Sequence, residues 1–70
     1  MVPPGQNSDD DGREILFEFR PIGNQVRVAA IDPETGVEVI VIAPRNAAQS
    51  DMQRIATAKL LRQLAKESGR

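Results

Sequence analysis

EILFEFRPIGNQVRVAAIDPETGVEVIVIA, residues 14–43, alternates its side chains with a period of two in three successive runs. Ile15, Phe17 and Phe19 alternate with Leu16, Glu18 and Arg20. Val26, Val28 and Ala30 alternate with Arg27, Ala29 and Ile31, and Val37, Val39 and Val41 with Glu38, Ile40 and Ile42. Neighbouring side chains of a strand point to opposite faces, so three such runs separated by turn residues predict an antiparallel meander. One face of that sheet is apolar throughout. The other mixes apolar residues with charges.

The turns set the expected boundaries. The first strand covers about 14–20 and ends at Pro21-Ile22-Gly23-Asn24, where Pro presets a turn and Gly and Asn tolerate positive φ. A four-residue connection places Glu18 opposite Arg27 and Phe17 opposite Val28. A two-residue Gly-Asn loop would put Arg20 opposite Arg27, and facing like charges destabilise a sheet, so the longer loop is expected. The second strand covers about 25–32. Asp32-Pro33-Glu34-Thr35-Gly36 is the strongest turn signal in the chain, with an Asp to bond its own backbone and a Gly for the left-handed exit. The third strand covers about 37–43, and Pro44 stops it.

Outside this stretch the character changes. Residues 1–12 are rich in Pro, Gly, Asn, Ser and Asp and lack apolar periodicity. They bury too little to offset the entropy of ordering and are expected to be a disordered tail before a folded unit at 13–68. Downstream, Ser50 with Gln53 forms a capping box, Asp51 suits a helix N-terminus, Lys66 suits a C-terminus and Gly69 a stop. Asn46 with Gln49 offers a competing start. At 100° per residue, Ala56, Thr57, Leu60, Leu61, Leu64 and Ala65 share one side, and Met52 and Ile55 fall away from it. The expected fold is α+β: a three-stranded antiparallel meander followed by one C-terminal helix packed on one face. Phe17, Phe19, Val28, Val39, Leu60 and Leu64 form its expected core.

Composition narrows the function. Seventy residues make one small, marginally stable domain, of the kind that normally has a disulfide, a metal or a partner in support. The chain has no cysteine and no histidine, so no cofactor or metal site is expected, and the partner remains. Residues 1–13 lack a secretory pattern and no apolar run approaches the roughly 20 residues of a membrane span, so a cytoplasmic protein is expected. The net charge of −1 is uneven: −5 over residues 1–43, +4 over 44–70. Glu18 and Glu38 share a face with Arg27, which favours ionised structural carboxylates over an acid–base pair. Gly23 and Gly36 are isolated turn glycines rather than a phosphate loop. No catalytic residue is expected, and the chain is read as non-enzymatic.

Two surfaces are candidates for binding. Leu16, Ile31, Ile40 and Ile42 on the mixed sheet face, with Met52 and Ile55 on the helix, are more apolar surface than one small domain needs, and the layout suits a homodimer with a polar rim. The alternative is a nucleic-acid contact through Arg45, Arg54, Lys59, Arg62 and Lys66. Against it stand a sequence pI of about 5.2 and the placing of both Phe residues on the apolar face, away from bases.

FEFR (Phe17–Arg20), IGNQVRV (Ile22–Val28) and AIDPETGVEV (Ala30–Val39), with the helix SDMQRIATAKLLRQLAKE behind them, resemble a family of short uncharacterised bacterial proteins, mainly alphaproteobacterial, grouped as a domain of unknown function. The resemblance covers most of 14–66. It implies a bacterial origin and assigns no activity, cofactor or site residue. The expected function is a small non-enzymatic interaction module that self-associates.

Overall fold

The computed structural model describes the backbone of residues 5–8 and the whole of residues 14–68. It holds four strands and one helix: β1 (Gly5–Ser8), β2 (Glu14–Ile22), β3 (Gln25–Ile31), β4 (Glu38–Pro44) and α1 (Gln49–Ser68). The strands lie in the order β1-β2-β3-β4, every neighbouring pair antiparallel. The meander read from the alternation is β2-β3-β4, and α1 packs against β3 and β4.

β1 departs from the expected tail. Gly5–Ser8 pairs with Glu14–Phe17 of β2, from Gly5 opposite Phe17 to Ser8 opposite Glu14. Its sequence, GQNS, has no strand composition. A strand added to an existing edge is held by backbone N–H and C=O groups, which composition does not reveal. The rest of the expected tail, 1–4 and 9–12, lies outside the described residues.

The β2–β3 register also differs from expectation. The loop is the two-residue one, with Ile22 opposite Gln25, Arg20 opposite Arg27, Phe19 opposite Val28 and Glu18 opposite Ala29. Gly23 has φ +59° and Asn24, like every other described non-glycine residue, has negative φ, which is the pattern of a type II′ turn. That turn matches strand twist and extends pairing through Pro21–Val26 and Ile22–Gln25. Pro21 lies outside Glu14–Phe17, the residues of β2 that β1 pairs, so its missing N–H costs no bond to β1. One cross-strand like-charge contact costs no more than about 1 kcal/mol, less than the turn and two further pairs contribute.

At the β3–β4 turn, Asp32 is the organising residue. It is 1% exposed. The Glu34 N–H donates to its Oδ1 (3.3 Å) and the Thr35 hydroxyl to its Oδ2 (2.8 Å). The Gly36 N–H donates to the Asp32 carbonyl (2.8 Å), and the Asp32 N–H to the Val37 carbonyl (2.9 Å). Gly36, at φ +79°, makes the left-handed exit.

β4 ends at Pro44, and a tight turn closes as the Ala47 N–H donates to the Pro44 carbonyl (3.0 Å). The first helical bond runs from the Met52 N–H to the Ala48 carbonyl (3.0 Å), so α1 starts at Gln49 and neither Asn46 nor Ser50 is its cap. Its inward residues are Met52, Ala56 and Leu60, buried, with Leu64 partly so. They are spaced by four, an inclined ridge rather than a line along the axis, as helix packing favours. This overturns the expected stripe at both ends: Met52 belongs to the core and Ala65 is exposed. The sheet side of the core is Ile15, Phe17, Val26, Val28, Ala30, Val39 and Ala43, with Phe19, Val37 and Val41 partly buried. The Phe17 and Phe19 rings stack, with centroids 6.3 Å apart.

Candidate interaction surface

The pairing register arranges the outer face of the sheet in rows across β2, β3 and β4. They are Leu16–Ile31–Glu38, Glu18–Ala29–Ile40, Arg20–Arg27–Ile42 and Ile22–Gln25–Pro44. Glu18, Arg27 and Glu38 share this face as expected but fall in three different rows: the two-residue loop puts Glu18 beside Ala29, and the β3–β4 turn puts Glu38 beside Ile31. The shift from the expected register is an even number of residues, so every side chain keeps its expected face.

Among the described elements none lies over this face, since α1 occupies the other. Leu16 lies beside Ile31, and Ile40 and Ile42 are neighbours on β4, while Ile22 stands apart beyond Arg20. Leu16, Ile31 and Ile40 are partly buried by their neighbours, while Ile42 is 56% and Ile22 54% exposed. Ile22 is a member that sequence reading placed in a loop; the Gly-Asn pair after it was the signal for the shorter turn. In the middle, Ala29 is only 6% exposed and floors a shallow depression of about 70 Å³. Glu18, Arg20, Arg27, Glu38 and Ile40 form its walls. Two carboxylates and two guanidiniums therefore surround one small side chain, and no ion pair joins them among the described residues.

The other predicted residues are dispersed. Met52 lies in the core and drops out as an interface residue, while Ile55 is 55% exposed on the helix, across the domain from the outer face. Of the five cations, three have intramolecular partners. The Arg45 guanidinium donates to the Gly23 carbonyl (2.9 Å), tying the end of β4 to the β2–β3 turn. Arg54 pairs with Asp51 (2.9 Å). Lys59 Nζ donates to the Ile40 carbonyl (2.7 Å), placing an ammonium against the edge strand β4. Arg62 and Lys66 stand exposed farther along α1. Among the described residues no group of three Asp, Glu, His or Cys is placed to hold a metal ion, and no helix is long and apolar enough to cross a membrane.

A family model described as Domain of unknown function (DUF6898) matches residues 12–67, and the chain belongs to that family. No curated protein and no solved structure matches it.

Proposed function

We propose that this protein is a small interaction module that works by binding rather than catalysis, and that it associates with copies of itself through the outer face of its sheet. The observation that carries this reading is the set of apolar residues Leu16, Ile31, Ile40 and Ile42 gathered round the buried Ala29, with Ile22 at the end of β2, on a face that no described element covers. An apolar patch bordered by charges is the layout of an interface core and rim.

The other surfaces have less to offer. Met52 is committed to the core, which leaves Ile55 alone on the helix. The edges are managed: β1 covers the first half of β2, and Lys59 sets a charge against β4, a device that discourages strand pairing. Phosphate binding through the helix draws weaker support, because Arg45, Arg54 and Lys59 already have partners within the chain. The absence of cysteine suits a reducing cytoplasm, where we expect the protein to act.

Three strands at about 4.8 Å and seven residues at about 3.3 Å give a face of roughly 300–400 Å², small for a specific interface, so association in the micromolar range is expected. Sedimentation of the wild type at tens of micromolar should show dimer. Ile40→Lys should return monomer with unchanged far-UV circular dichroism. A pure wild-type monomer at that concentration would overturn the reading. Insensitivity of the dimer to salt would speak for apolar contact, since phosphate-driven binding weakens steeply with salt.

A further inference from the structure

The arrangement of charges on the outer face is self-complementary. Glu18 and Arg20 are neighbours on β2, one in each of the two middle rows, and Ala29 and Arg27 occupy the same two rows on β3. Ile40 and Ile42 do so on β4. A two-fold axis running across the strands between these rows exchanges them. Each residue of the row Glu18–Ala29–Ile40 then faces a residue of the row Arg20–Arg27–Ile42 on the other copy, strand over like strand.

Resting on the reading proposed above, we infer that the face binds a second copy of this chain in that two-fold arrangement, with Arg27 of each copy entering the depression over Ala29 of the other. The chemistry agrees at every position of the central rows. Glu18 meets Arg20 of the second copy twice, once on each side of the axis. Ile40 meets Ile42. The depression is floored by the smallest apolar side chain on the face and walled by Glu18 and Glu38 together with Arg20 and Arg27; with Glu18 and Arg20 engaged across the axis and Arg27 of the same copy directed into the other depression, the Glu38 carboxylate is left for the entering guanidinium. Packed sheets lie about 10 Å apart, within the reach of an arginine side chain. In the outer rows Leu16 meets Ile22, extending the apolar contact past the charges. Glu18 and Arg20 are exposed, so a charged pair there stays hydrated and selects a partner more than it drives binding. The isologous contact closes on itself and forms no chain of molecules.

Charge reversal tests the arrangement on the full chain. Glu18→Arg alone places like charges at both contacts of its own dimer, and so does Arg20→Glu alone. Each variant should self-associate at least about tenfold more weakly than wild type by sedimentation. Mixed in equal amounts, the two should assemble again, because in the mixed pair both contacts join unlike charges. Ala29→Leu, which fills the depression without altering charge, should weaken the dimer to a similar degree. Circular dichroism of each variant reads whether the fold is kept, and the exposed positions 18 and 20 keep the test informative if Ala29→Leu unfolds. A mixture that assembles no better than either variant alone, while Ile40→Lys still dissociates the wild type, would overturn the two-fold arrangement and leave the face standing. A wild-type monomer would overturn both.

Discussion

The two faces of the sheet are built from the same strands and from similar β-branched residues, yet only one is closed. On the inner face Ile15, Phe17, Val28, Ala30 and Val39 meet Met52, Ala56 and Leu60 of α1, and all are buried. On the outer face residues of equal hydropathy, Ile22 and Ile42, are more than half exposed. An apolar strand residue has no preference of its own for the core; burial follows from which face the helix covers. Shape separates the faces as well as polarity. The inner face carries Phe17 and Phe19 and is filled by α1, whereas the outer face is hollow at Ala29 and ringed with charge. The first is the surface of a folding core, and the second has the form of a surface that meets another molecule.

The comparison is broken most severely from within. Phe17 is fully buried at the centre of the inner face and stacks on Phe19. Phe17→Ala should cost about 3–5 kcal/mol, the range for removing a buried aromatic ring. That is most of the stability available to a domain of this size, so the variant should be largely unfolded in denaturant titrations started from dilute protein. A variant that melts like the wild type would mean that the faces are exchanged.

A smaller effect is expected at the inner face's polar end. Asp32 continues the alternation Val28, Ala30, Asp32, so a carboxylate stands where an apolar residue would be expected, and it is buried. It is held by the Thr35 hydroxyl and the Glu34 N–H. Asp32→Ala should remove these bonds, leave the donors without an acceptor and loosen the β3–β4 turn, at a cost of about 2 kcal/mol. Amide exchange of Glu34 should quicken more than that of Val28. Equal loss of protection at both would show that Asp32 acts on the whole domain rather than on its turn.

These contrasts were legible in the sequence to different degrees, for physical reasons. The faces were readable because side-chain direction has a period of two, and the misjudged hairpin loop displaced the strands by an even number of residues. The rows were not, because the choice between a two- and a four-residue loop turned on one like-charge contact, a term smaller than the turn and pairing terms set against it. The helix was readable as an element, but its inward line was not. A projection at 100° per residue assumes contact along the axis, whereas Met52, Ala56 and Leu60 follow a ridge that crosses it. β1 carries no side-chain signal, because an edge strand needs only backbone partners. The interface residues Leu16, Ile31, Ile40 and Ile42 were found by their surplus hydropathy, while the hollow between them required the register. It exists because Ala29, not Arg27, lies beside Glu18.

The smallest expected effect separates the two roles of the outer face. Arg20 faces Arg27 across β2 and β3, which is a mild cost borne within each copy. Arg20→Glu turns that contact into an opposite-charge pair. In dilute solution, where the chain is monomeric, the variant should therefore be more stable than wild type by a few tenths of a kcal/mol, the usual size for an exposed cross-strand pair. The gain should fade as salt screens the pair. The same substitution is expected to weaken self-association, because Arg20 then no longer complements Glu18 of a second copy. Stability and association should move in opposite directions in one variant. A monomer whose stability is unchanged at low salt would place Arg20 and Arg27 too far apart to interact and would undo the register on which the rows depend. A monomer that gains stability while the dimer also tightens would keep the register and remove Arg20 from the contact between copies.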